Sequence, residues 1–248
     1  MDRRTLIKGL AALAPVLSAR RLFAETPSGA AAKSCRLITQ DIAGPFRTKD
    51  VPIRSDITDG QVGTPLTLRF QVVDSFSCQP LPGALVSIWH ANASGLYSGV
   101  RNVMLGTDMN PEGGVVDTTD QNFLRGTQQT DSEGRVSFNT IFPGWYRPRP
   151  THAHIMVFPP DFGEVATTQL YFPDEVCDLA YQGEHYLSRG PNPIRTDPGA
   201  FSPTDSSDAE DLWLDLRRTA AGFEASHQLG VTFYGGMFGE LPEFYRQG

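Results

Sequence analysis

The densest chemistry in the chain lies where Gly144-Trp145-Tyr146 is followed by Arg147-Pro148-Arg149-Pro150-Thr151 and then by His152-Ala153-His154. Two histidines one residue apart on an extended segment point to the same face, because side chains alternate along a strand. Their imidazoles make half of a metal site, while Ala153, Ile155 and Val157 face the other way, where they can be buried. The pair alone also fits surface or packed histidines, so its surroundings decide. Two tyrosines flank it in sequence: Tyr146 just upstream, and Tyr97 in the segment Ile88-Trp89-His90-Ala91-Asn92-Ala93-Ser94-Gly95-Leu96-Tyr97. Taken singly, Tyr97 reads as a loop tyrosine and Tyr146 as a core aromatic. His90 reads as structural, and His185 and His227 carry no motif.

Strands must position these groups. Leu66, Leu68, Phe70 and Val72 alternate with Thr67, Arg69 and Gln71, the pattern of a half-buried strand. Residues 74–83, rich in Ser, Pro and Gly, form its turn, and residues 84–90 the next strand. A Gly-, Asp- and Asn-rich stretch, 94–120, reads as a long excursion over the surface, where function often resides. Further strands are expected around Val136 and Phe138 and over 152–158. Near the C-terminus, alternation through Leu212, Leu214 and Leu216 and again from Phe223 to Val231, around a turn at 220–222, predicts a β-hairpin. A capping box at Ser207-Asp208-Ala209-Glu210 offers a helix through Arg218 as the competing reading.

Composition bounds the class. Asp and Glu number 28 against 21 Lys and Arg, a net charge of −7, and no basic run is present, which excludes an electrostatic footprint for nucleic acid or anionic lipid. With 40% hydrophobic and 20% charged residues the chain can bury a core, and 24 Gly with 19 Pro tilt it toward strands and turns. At the N-terminus, Arg3-Arg4 precedes an apolar stretch, 9–19, that is too short to span a bilayer; residues 1–24 therefore read as a twin-arginine-type export signal, and 25–248 as one domain. No other run is long enough for a membrane span. Export to a periplasmic or extracellular location permits disulfides, so two of Cys35, Cys78 and Cys177 can pair; which two is open.

The pattern as a whole resembles the intradiol ring-cleavage dioxygenases. The matching stretches run in order from Asp41-Ile42-Ala43-Gly44-Pro45-Phe46 through Arg54-Ser55-Asp56-Ile57, Pro82-Gly83-Ala84, the Trp89 to Tyr97 segment, Phe123-Leu124-Arg125-Gly126 and Thr130-Asp131. They continue through Gly144-Trp145-Tyr146 and His152-Ala153-His154 to Thr168-Gln169-Leu170-Tyr171-Phe172. The resemblance implies an all-β fold, a single prealbumin-like β-sandwich with long loops, holding one Fe(III) per chain through Tyr97, Tyr146, His152 and His154. It places Arg149 beside a bound catecholate and Gln169 in the lining of the same pocket. The implied partners are a small aromatic diol and O2, and the implied product is a muconate-type diacid formed by cleavage between the two hydroxyls. The chain departs from the family pattern at Ala43 and Arg47, where relatives often carry an acid and a second aromatic, and the oligomeric state is left open.

The donor set suits a ferric ion. A phenol of pKa about 10 lies ~3 units from ionising at pH 7, roughly 4 kcal/mol for each tyrosinate. Only a strongly Lewis-acidic cation offsets that twice, and hard anionic oxygens favour Fe(III) over Zn(II). Two readings compete. An exported β-sandwich binding module would have kept the fold and lost the reaction, and a zinc hydrolase on the same scaffold would be colourless.

Overall fold

In the computed structural model, which describes residues 35–104, 114–160, 163, 166–186, 190–193 and 211–232, the alternation from Leu66 becomes strand β1 (Pro65–Asp74), with Leu66, Leu68, Phe70 and Val72 buried. β1 is the centre of one four-stranded sheet. It pairs antiparallel with β6 (Arg135–Ile141) and in parallel with β10 (Phe223–Val231), which pairs in turn with the short β9 (Leu216–Arg218). The C-terminal segment is thus a hairpin, β9 to β10, but its first arm is shorter than expected, because Leu212 and Leu214 are buried ahead of the strand that begins at Leu216; residues 207–210 of the competing capping box lie outside the described residues.

The second four-stranded sheet has the order β5 (Arg125–Gln129), β2 (Leu85–Trp89), β7 (His152–Phe158), β8 (Ala166–Tyr171), all antiparallel. Val86, Ile88, Ala153, Ile155, Val157 and Leu170 from this sheet meet the β1, β6 and β10 side chains in one apolar core. Each fully buried Leu, Ile, Val or Phe there contributes roughly 1.5–3 kcal/mol. The fold is therefore the expected all-β sandwich.

Two elements differ from expectation. The 94–120 excursion contains a hairpin, β3 (Arg101–Met104) with β4 (Gly114–Asp117), and its flanks dive inward: Tyr97, Ser98, Asn102 and Thr118 are all buried. Loop-like composition concealed this because the burial is polar. A seven-residue helix, α1 (Asp174–Ala180), follows Pro173 and carries Asp174 and Glu175 in its first turn, where acids complement the exposed N–H groups. Its buried side, Cys177 and Ala180, is too short to show a helical period.

The sheet edges are covered by extended segments. Residues 52–57 bond to β5 and β6 through Thr127 and Asn139, and residues 38–41 join β10 at Gly230 and β8 at Thr167. A disulfide links Cys35 to Cys78, resolving the pairing that the sequence left open, and Cys177 remains a buried thiol. The proposed export signal, 1–24, falls outside the described residues. Among the described residues, no helix is long and apolar enough to cross a membrane.

Candidate metal centre

β7 sits between β2 and β8, so each of its histidines has a cross-strand neighbour on both sides or one. His154 is registered with Trp89 on β2 and Gln169 on β8, and His152 with Tyr171 on β8. The Trp89 indole lies flat on the His154 ring, centroids 4.7 Å apart and planes 1° apart. Gly44 covers the other approach. It adopts φ +68°, and a Cβ there would stand 3.3 Å from His154 Cε1, so only glycine brings this backbone against the ring without strain.

Tyr97 arrives from the excursion between β2 and β3. Its N–H donates to Asn102 Oδ1 at 2.9 Å, and its carbonyl accepts from Asn102 Nδ2 at 2.8 Å and Thr118 Oγ1 at 2.7 Å. The next residue, Ser98, is gripped by the buried Arg125 guanidinium, whose Nη2 donates to Ser98 O at 2.6 Å. Tyr146 follows Gly144, whose backbone packs so closely on Asn92 that a Cβ would meet its carbonyl at 2.3 Å. A tight turn then returns the chain, Arg149 N–H to Tyr146 O at 2.9 Å, across a cis Arg147–Pro148 peptide.

These elements bring all four expected donors to one point. Tyr97 Oη lies 3.3 Å from both His152 Nε2 and His154 Nε2, Tyr146 Oη lies 3.2 Å from His152 Nε2, and the two imidazole nitrogens are 3.1 Å apart. His152 Nδ1 is 2.7 Å from Pro150 O; a carbonyl only accepts, so Nδ1 carries the proton and Nε2 presents its lone pair to the cluster. Burial pushes both phenols up, Tyr97 well above its ordinary range, with the neighbouring Tyr146 adding to the effect. Burial also holds His152 down at about 3 and His154 far below its usual value. Without a cation, therefore, all four groups are neutral, and two phenol oxygens and two imidazole nitrogens crowd one buried point.

That donor set fits a metal ion. Donors about 2.0–2.2 Å from a shared cation stand roughly 3 Å apart, the spacing found here. Among the described residues no three His, Cys, Asp or Glu side chains cluster, so a metal at this point depends on the tyrosine oxygens, which selects a hard, highly charged ion.

Arg149 and Gln169 adjoin the cluster, joined by a hydrogen bond from Arg149 Nη2 to Gln169 Oε1 at 2.7 Å. His90 is structural: its ring nitrogens reach Ala91 O at 2.8 Å and Thr140 Oγ1 at 2.7 Å. Sequence reading assigned no role to Asn102, Thr118, Arg125, Asp41 or Tyr171. For Tyr171 a signal existed, since it lies two residues after Gln169 and must share its face; for Asn102 and Thr118 none did.

A family model described as "Dioxygenase" matches residues 43–187, more than half of the chain. The chain belongs to the intradiol ring-cleavage dioxygenases. Among relatives of this family, the protocatechuate 3,4-dioxygenase beta chain of Burkholderia cepacia is 37% identical over 155 residues, covering 56% of this chain and 61% of that protein. The chlorocatechol 1,2-dioxygenase of Pseudomonas putida is 27% identical, covering 57% of this chain and 56% of that protein. The chain thus spans somewhat over half the length of these relatives. In fold it is similar to an intradiol ring-cleavage dioxygenase from Tetranychus urticae, with TM-score 0.65 and 24% identity over 80% of this chain and 95% of that one. Ring-cleaving oxygenation is the chemistry of this intradiol family.

Proposed function

We propose that this protein is an exported non-haem iron dioxygenase that cleaves catechol-type rings between their two hydroxyls, using O2, to muconate-type diacids. The observation that carries the reading is the convergence of two phenol oxygens and two imidazole nitrogens at 3.1–3.3 Å. Tyr97, Tyr146, His152 and His154 would hold one Fe(III), which when bound supplies the electron withdrawal that makes a chelated diolate reactive toward dioxygen.

The chain's own groups do the rest. Tyr97 is fully buried and clamped through its backbone, so it is the fixed oxygen donor. Tyr146 is half-buried and lies on a turn rather than on a strand, so it is the donor free to swing aside. Its Oη, as phenolate, accepts one proton of the incoming diol. Arg149 sets a fixed positive charge beside the ring as negative charge develops, an effect that grows where water is excluded. Phe46, stacked on Tyr97 with centroids 4.3 Å apart, and Trp89 on His154 keep water away from the donors. The Cys35–Cys78 disulfide supports the oxidising, extracytoplasmic location that Arg3-Arg4 suggests.

The test is metal analysis with a visible spectrum, before and after anaerobic addition of catechol. One iron per chain, a strong tyrosinate-to-iron band that shifts with catechol, and a diacid product on admitting O2 are expected. A colourless protein that takes up no iron would overturn the reading in favour of a binding module.

A further inference from the structure

Arg149 Nη2 has two protons and two acceptors: Gln169 Oε1 at 2.7 Å and Tyr171 Oη at 3.2 Å. Both acceptors come from the same face of β8, and both are oriented by one short segment of the chain. The Gln169 amide donates through Nε2 to Ile42 O at 2.8 Å, which turns its oxygen toward Arg149. The Tyr171 hydroxyl donates to Asp41 Oδ2 at 2.9 Å; a carboxylate accepts, so the phenol proton points away from Arg149 and its lone pairs point toward it. Asp41 is buried at 6% exposure, and Tyr171 at 0%. The other oxygen of Asp41 accepts the Ile42 N–H at 2.6 Å, which fixes the carboxylate itself. An apolar residue at position 41 would cover the sheet edge as well, at no cost of burying a carboxylate. Besides accepting the Ile42 N–H, the carboxylate aligns the Tyr171 hydroxyl.

We propose that Asp41 and Tyr171 are positioning residues for Arg149: together they fix the guanidinium beside the ring of a bound diol. This rests on the proposed reading of the site as a diol pocket. Removing the Tyr171 hydroxyl frees one Nη2 proton, and removing the Asp41 carboxylate lets the phenol proton turn back toward the guanidinium. Either change lets Arg149 drift without touching the four metal donors.

The test uses the full iron-loaded chain, with anaerobic titration by 4-nitrocatechol, whose own colour reports binding, and catechol turnover measured alongside. Tyr171→Phe and Asp41→Ala are expected to weaken 4-nitrocatechol binding and slow turnover by about tenfold, with iron content and the free enzyme's visible band unchanged. Asp41→Asn offers one amide oxygen to two donors, the Tyr171 hydroxyl and the Ile42 N–H, and is expected to fall between Asp41→Ala and the unaltered chain. In an Arg149→Met background, Tyr171→Phe should change binding by less than about twofold, because nothing remains to be positioned. An equal loss from Tyr171→Phe in both backgrounds, or no loss in either, overturns the proposal. Should Asp41→Ala fail to fold, Tyr171→Phe and its double variant carry the decision. A chain that binds 4-nitrocatechol, with the Arg149-dependent loss, but turns over no catechol overturns the dioxygenase reading and leaves this positioning role standing. A chain that does neither overturns both.

Discussion

Strands β1 and β7 sit at the centres of their two sheets and treat their outer faces in opposite ways. β1 buries one face along most of its length. Leu66, Leu68, Phe70 and Val72 enter the core, while Arg69 stands in solvent and pairs with Glu224. β7 buries both: Ala153, Ile155 and Val157 enter the same core, and His152, His154 and Met156 are equally hidden on the side where Phe46, Ala91, Tyr97 and Tyr146 pack. The first sheet is thus a support, and the second has an additional layer built over its outer face. Polar groups buried in that layer must find partners or a cation. That is why it is dense with hydrogen bonds, where the outer face of β1 has an Arg69–Glu224 ion pair in water. Stability and chemistry are therefore carried by opposite sides of one strand.

If this division is correct, substitutions on the two faces separate cleanly. Tyr97→Phe removes one oxygen from the outer layer and should lower iron affinity and turnover by more than about a hundredfold, beyond the loss typical of groups that only support metal ligands. Its far-UV circular dichroism should be unchanged. Metal analysis checks it, and full iron content with unchanged turnover would remove Tyr97 from the site.

Leu68→Ala, on the supporting sheet, should behave conversely. It is expected to cost about 3 kcal/mol of folding stability, read from the denaturant midpoint, while the visible band of the folded, iron-loaded fraction stays where it was.

The third prediction concerns acid. Burial holds His90 down at about 4, below its unfolded value of about 6.5. Between those pH values the unfolded chain binds a proton that the folded chain refuses, so stability falls as pH drops from about 6.5 to about 4, by about 1.4 kcal/mol per pH unit for this one group. Above 6.5 it contributes no slope. Replacing it in His90→Gln should flatten that part of a stability–pH curve, and an unchanged slope would show that His90 does not remain neutral.

The smallest effect belongs to the solvent face of the first sheet. Glu224 is screened by water, and its pairs with Arg69 and Arg217 are exposed. Glu224→Gln should leave the denaturation midpoint, iron content and turnover within experimental error, and a marked loss in any of the three would show that this face is not the inert one.

Much of this division is legible in the sequence. Alternation of apolar residues has a period of two whatever the tertiary context, so β1, β7 and the C-terminal hairpin could be read directly. The shared face of His152 and His154 follows from the same geometry. The short helix α1 and the β3–β4 hairpin could not be read this way: one is too brief for a period to emerge, and the other has polar residues buried by specific bonds rather than by hydrophobicity.

By itself, then, the sequence determined an all-β chain with two histidines side by side, because backbone pleating is local and acts at a range of one or two residues. The resemblance implied that Tyr97 joins them, but the tertiary structure alone shows how a residue 55 positions away comes within hydrogen-bonding distance. It also decided that Asp41, 130 residues from Tyr171, reaches the same layer. Such meetings depend on strand order and loop closure, which are properties of the whole folded chain and leave no periodic trace in the residues that meet.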